Sequence, residues 1–202
     1  PMTFNSAQIS PSQPLTLQPQ IVLLLVGLPG SGKTTLCEAL VQHSAHSLAP
    51  VRRWVRASQD DAPGRRRQEC EAVVRQALAE GCNVVVDRVG FDPIQRSHFI
   101  RLANSHHPRP SIYALTLYVS PPTLSARLRI RPSHPTLTTP ELALSVLRQM
   151  LAVFDPPRPG RIEGFNRVME LREAGQPKGG VWTRESVERL IRDIGVYGNQ
   201  EI

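Results

Sequence analysis

The sequence predicts a three-layer α/β fold, with one five-stranded parallel sheet between layers of helices. Three observations carry this expectation. From Ile21 onward, short β-branched runs alternate with amphipathic stretches, the pattern of parallel strands joined by helical crossovers. A glycine-rich segment, 27–34, separates the first run from the first helical stretch. The length of 202 residues fits one domain, and no internal repeat interrupts it.

The elements follow in order. Residues 1–20 are rich in Ser, Pro, Gln and Thr and lack periodicity, so they read as a flexible lead-in. Pro1 ahead of Met2 reads as a remnant of tag cleavage. Residues 21–202 read as the folded domain. Strands are expected at 21–26, 51–55, 83–86, 112–119 and 165–171, the second interrupted by arginines. Helices are expected near 33–43, 66–80, 93–104, 121–130, 141–153 and 184–194. Two Pro-rich segments, 131–140 (RPSHPTLTTP) and 155–164 (DPPRPGRIEG), read as loops.

Composition narrows the class. The formal net charge is +7, from 24 basic and 17 acidic residues. Two of those 24 are lysine, Lys33 and Lys178, which leaves 22 arginines. Arginine presents a planar fork that grips phosphate through two parallel hydrogen bonds, and excess positive charge suits a polyanionic partner. The longest apolar run, 21–26, is too short to span a bilayer. The N-terminal stretch lacks the charged segment of a secretory signal. Cys37, Cys70 and Cys82 are an odd set without CxxC spacing, which argues for a reducing compartment, nuclear or cytoplasmic, and against a zinc site.

The strongest motif is Gly27-Leu-Pro-Gly-Ser-Gly-Lys33-Thr34, a full match to GxxxxGK[ST] between a strand and a helix. Glycines let successive N–H groups turn inward where side chains would obstruct a phosphate. The following helix N-terminus adds partial positive charge. Gly27, Pro29, Gly30, Ser31, Gly32, Lys33, Thr34 and Thr35 are therefore the expected nucleotide contacts, with Lys33 on the β- and γ-phosphates and the Thr34 hydroxyl on Mg²⁺. ATP is the expected donor, with GTP as the alternative.

Phosphoryl transfer also needs carboxylates and arginines. Asp87 ends the 83–86 strand and is expected beside the metal. Asp60 and Asp61 follow the second strand. Asp60 is the expected proton acceptor for an attacking hydroxyl, and Asp61 a turn residue or helix N-cap. Arg127 and Arg131 lie four apart on a helix entering the Pro-rich loop. A mobile lid over about 127–140 would bring them onto the triphosphate, with Arg131 on the phosphates and Arg127 on the base or phosphates. Arg65, Arg66 and Arg67 oppose the dipole of the helix they start, a cost that a bound substrate phosphate would offset. Arg88 and Arg96 flank the loop after Asp87 and are further candidates for a polyanion, Arg96 equally for the helix surface. His106, His107 and His134 have no ligand-like spacing. Trp54, Trp182 and Cys37 read as packing residues.

Taken together, these motifs resemble the 5′-hydroxyl polynucleotide kinase family of P-loop kinases, over about 21–171. The resemblance implies the strand order 2-3-1-4-5. It makes Asp60, in Ser58-Gln-Asp-Asp61, the general base, and places one of Arg65, Arg66 or Arg67 on an acceptor phosphate. It aligns Asp87 and Asp92-Pro-Ile-Gln-Arg96 with the family's segment after the third strand, and Arg127 and Arg131 with its RxxxR lid. Arg88 and Gly90 depart from the Asn-type residues usual after the strand-end Asp. The Gln-Asp-Asp wording, Asp87-Arg-x-x-Phe-Asp-x-x-Gln-Arg96 and Glu163-Gly-Phe-Asn166 look closer to the kinase-like domain joined to aprataxin-type repair proteins. The implied activity is γ-phosphate transfer to a 5′-hydroxyl end of DNA or RNA, in nucleic-acid repair, by a monomer with no membrane partner. The alternatives are a small-molecule kinase of gluconate or shikimate type, and a nucleotide- and nucleic-acid-binding module without transfer. A simple NTPase fits less well, because it needs neither lid nor acceptor carboxylate.

Overall fold

A computed structural model describes residues 19–44, 52–130 and 137–195. Five parallel strands form one sheet in the order β2-β3-β1-β4-β5. They are β1 (Ile21–Val26), β2 (Trp54–Ser58), β3 (Asn83–Asp87), β4 (Ser111–Tyr118) and β5 (Arg167–Arg172). The helices are α1 (Lys33–Ser44), α2 (Arg67–Ala79), α3 (Pro93–Asn104), α4 (Pro121–Ile130), α5 (Pro140–Val153) and α6 (Arg184–Asp193).

β1 is central, and all six of its residues are buried, as a strand covered on both faces requires. Its alternate residues feed two cores. Leu23 and Leu25 pack with Leu36, Leu40 and Ile191 of α1 and α6. Val22 and Leu24 pack with Val74, Phe99 and Ile100 of α2 and α3. A third cluster joins Leu28, just beyond β1, to Leu124 and Leu128 of α4 and Leu147 of α5. It seats the α4–α5 pair directly against the glycine-rich loop.

Two expectations are corrected. The second strand lies at Trp54–Ser58, not 51–55, and Val51 falls outside the described residues. Arg52 and Arg53 precede the strand, where Arg52 donates to the Gly81 carbonyl at 3.1 Å and Arg53 pairs with Glu80 at 3.7 Å. The shift sets Ser58 opposite Asp87. Nor does Asp61 cap α2. The helix begins at Arg67, its N-cap is Arg66, and the Glu69 carboxylate accepts the Arg66 and Gly64 N–H groups at 3.0 Å. That carboxylate offsets the cationic run at the helix start.

Candidate active site

The glycine-rich loop leaves β1 at Gly27 and enters α1 at Lys33. Gly30 and Gly32 hold φ of +84° and +95°, a left-handed backbone that glycine takes readily, and the Ser31 N–H between them donates to the Leu28 carbonyl at 3.1 Å. A side chain on Gly30 would also meet the Leu124 carbonyl at 3.2 Å and Leu128 at 3.3 Å, so α4 packs on bare backbone here. Lys33 Nζ donates to the Gly27 and Leu28 carbonyls at 2.8 and 3.1 Å, with the Ser31 hydroxyl at 3.4 Å. The loop is tied to the segment after β3 by the Gly27 N–H on the Val89 carbonyl, 3.2 Å.

A cleft of about 680 Å³ opens above this loop. Pro29, Gly30, Gly32, Lys33, Thr34 and Thr35 line its floor, Asp60, Asp87 and Arg88 one wall, and Arg127, Gln176 and Trp182 the other. Gly27 and Ser31 stand behind it, buried. Arg127 donates to the Gly30 carbonyl at 3.2 Å and to Gln176 at 3.3 Å, bridging α4, the loop and the segment after β5. Arg131 and His134 lie outside the described residues.

Asp87 is buried, and a residue absent from the sequence reasoning holds it there. Arg56 Nε and Nη2 both donate to Asp87 Oδ2, at 2.9 and 2.7 Å, while Nη1 donates to Asp61 Oδ2 at 2.6 Å. One guanidinium thus spans the ends of β2 and β3. Burial and these carboxylates compete, and the arginine's pKa is raised on balance. Two charge-assisted donors on one oxygen anchor the carboxylate at Oδ2. The donor set left for a cation, the Asp87 carboxylate and the Thr34 hydroxyl, suits Mg²⁺, which keeps waters and phosphate oxygens as its other ligands. No group of three or more His, Cys, Asp or Glu residues is placed to hold a metal among the described residues.

The expected acceptor arginines separate. Arg88 lines the cleft, bonds Gln95 at 3.2 Å and lies over the Phe99 ring. Arg65 and Arg66 are exposed in the turn before α2, Arg65 at φ +51°. Arg67 is half-buried and pairs with Glu71 at 3.0 Å. Arg96 is neither a polyanion contact nor a surface residue. It is 1% exposed and bonds Glu163 through two nitrogens at 2.8 Å, and the Gly90 and Asp155 carbonyls at 2.8 Å. Its burial and its four bonds to Glu163, Gly90 and Asp155 make it a structural clamp.

The comparisons with known proteins now bear on this cleft. Residues 22–157 match the family model AAA_33, described as an AAA domain. The chain belongs to this family. As a P-loop kinase domain of the AAA_33 family, it is 33% identical over 153 residues to transcription factor bHLH140 of Arabidopsis thaliana. That match takes in 74% of this chain and 16% of the plant protein, so the chain spans about a sixth of its relative. A fungal RNA kinase structure superposes with TM-score 0.68 at 16% identity, over 89% of this chain and 87% of that one. Kti12 of Chaetomium thermophilum, solved with ADP-AlF3, gives 0.59 at 16% identity, over 85% and 97%. The AAA_33 domain therefore has the P-loop kinase fold, in the predicted strand order. No described helix is long and apolar enough to cross a membrane.

Proposed function

We propose that this domain is an ATP-dependent polynucleotide 5′-hydroxyl kinase acting in nucleic-acid repair. One observation carries the reading. The exposed Asp60 stands just past the end of β2 on the wall of the same open cleft whose floor is the glycine-rich loop, with Arg88 beside it. A closed pocket would suit a small acceptor; an open cleft with a carboxylate on its wall leaves room for the end of a chain. The fungal RNA kinase likeness and the ADP-AlF3 complex of Kti12 support it.

In this mechanism Asp60 accepts the proton of the 5′-hydroxyl as its oxygen attacks the γ-phosphorus. The bond from that phosphorus to the β–γ bridging oxygen breaks, and ADP leaves. Lys33 exchanges its loop carbonyls for β- and γ-phosphate oxygens and neutralises the charge that develops there. Arg127 stays at the loop's rim; the phosphate contact expected of Arg131 falls outside the described residues. Thr34 and Asp87 would hold Mg²⁺, which would supply charge stabilisation for the transferring phosphoryl group. GTP is the alternative donor.

The test is transfer of labelled γ-phosphate to 5′-hydroxyl DNA and RNA oligonucleotides, with Lys33→Ala abolishing it. Transfer to neither, alongside transfer to a sugar or other small alcohol, would replace this reading with the small-molecule one. Arg56 supplies a second prediction. Arg56→Ala is expected to raise the Mg²⁺ concentration for half-maximal turnover about 10–100-fold, the usual cost of losing a partner that orients a metal ligand. Arg56→Lys should recover part of it. An unchanged Mg²⁺ requirement in the Ala variant would remove Arg56 from the site.

A further inference from the structure

The glycine-rich loop and the carboxylates fix which way a nucleotide lies in the cleft. Asp60 and Asp87 stand on one wall, so the transferring end of the triphosphate points there. The base must then emerge against the opposite wall, among Arg127, Gln176 and Trp182. Trp182 is the one aromatic side chain among the described residues that line the cleft. It is half-buried: part of it packs against the core of α1 and α6, and the rest lines the cleft. Its backbone is held on both sides. The His43 Nε2, in the last turn of α1, donates to the Trp182 carbonyl at 3.3 Å, and the next residue, Thr183, caps α6 by accepting the Ser186 N–H at 3.2 Å. Gly179 and Gly180, just before it, also line the cleft and bring no side chain there. An indole anchored on one side and open on the other is a binding platform as well as packing.

The polar side chains on this wall are already engaged. The Arg127 guanidinium donates to the Gly30 carbonyl at 3.2 Å and to the Gln176 amide oxygen at 3.3 Å. A guanidinium only donates, so that contact fixes the amide with its oxygen toward Arg127. Its Nε2 is buried and has no hydrogen-bond partner. Gln176 therefore offers a base no free edge to pair with. What the wall does offer is a π face and a delocalised cation, and every base has a face to lay on them. We propose that Trp182 is the stacking platform for the donor's base, and that it selects the donor by ring area: purine triphosphates over pyrimidine ones, with ATP and GTP taken alike. A purine's fused rings cover more of an indole than a pyrimidine's single ring. Adenine and guanine differ in the donors and acceptors along their edges, which these side chains leave unread. The inference rests on the kinase reading above only for the direction in which the nucleotide lies, and it requires no particular acceptor.

Equilibrium binding tests this without turnover. ADP, GDP, CDP and inorganic tripolyphosphate are titrated into the parent chain, Trp182→Phe and Trp182→Ala, with thermal melting of the same samples reporting the fold. In the parent chain ADP and GDP should bind within about threefold of one another, and CDP about tenfold or more weaker. Trp182→Ala should weaken ADP and GDP about 5–100-fold, the range of a lost base–aromatic stack, and leave tripolyphosphate, which has no base, within about twofold. Trp182→Phe should recover most of the loss. The chain has two tryptophans, and Trp54 is 1% exposed, so iodide quenching of fluorescence reports on Trp182, and bound ADP should shield it. Equal losses for ADP and tripolyphosphate in Trp182→Ala would reduce Trp182 to packing and overturn the platform. So would a preference for ADP over GDP of more than about tenfold, the mark of a base read at its edge. Phosphoryl transfer to no acceptor would sink the kinase reading instead, and these binding results would still decide the platform.

Discussion

Asp60→Asn is expected to lower kcat for 5′-hydroxyl phosphorylation by about 10²–10⁴-fold, the range ascribed to a positioned general base, with little change in the KM for ATP. The amide keeps the side chain's size and removes its capacity to accept the hydroxyl proton. The adjacent Asp61 is the internal control. Its Oδ2 is engaged by Arg56 at 2.6 Å, and its side chain is 59% exposed. Asp61→Asn removes one exposed partner of that guanidinium, a loss of about 1 kcal/mol at most, so kcat should stay within about fivefold. Equal losses in the two variants would mean that the turn acts as a unit through Arg56, and that neither carboxylate is the base. A loss confined to Asp61→Asn would transfer the role to it. Steady-state kinetics with saturating ATP separates these outcomes, because a base acts in the transition state alone and leaves nucleotide binding intact.

Features fixed by local chemistry were legible in the sequence. The phosphate cradle needs glycine at set positions whatever the rest of the chain does, and Gly30 and Gly32 occupy the left-handed backbone that only glycine takes readily. α3 spans the expected 93–104 because Pro93 starts it and Asp92 caps it, accepting the Gln95 N–H at 2.7 Å. Features set by pairing between distant segments were not. β2 lies three residues beyond its expected start, because alternating valines and arginines fix neither register nor face until Trp54 is set opposite Asn83. Arg56 lies one residue beyond the expected 51–55 strand, and no motif marks it. Its role exists only because the same register puts Ser58 beside Asp87. Gln176 and Trp182 reach the cleft from beyond β5, and no motif marks them. The strand parity that sends Trp54 to the α1 face also places Arg56 there, and it is the one signal that could have found Arg56.

The Arg96–Glu163 clamp is the clearest case of a feature hidden from sequence, since its partners lie 67 residues apart, and it carries the largest expected effect on stability. Glu163→Ala should destabilise the fold by about 3–5 kcal/mol, because the Arg96 side chain is fully buried and would be left without a counter-charge. In a domain of this size that corresponds to a fall in Tm of about 6–20 °C. Arg96→Met/Glu163→Leu should recover part of the loss by removing both charges. It cannot recover all of it, because Arg96 also donates to the Gly90 and Asp155 carbonyls at 2.8 Å, and acceptors left unsatisfied cost about 1–3 kcal/mol each. Those two bonds give the clamp its bearing on function. They pin the segment that follows Asp87 and carries Arg88 to the loop that joins α5 to β5. The double variant should therefore fold yet lose acceptor affinity more than ATP affinity. Urea titrations of the two singles and the double give the coupling energy of the pair. A Glu163→Ala loss below about 1 kcal/mol would show that the guanidinium finds water or Asp155 instead, and that the loop after β3 holds its position without the clamp.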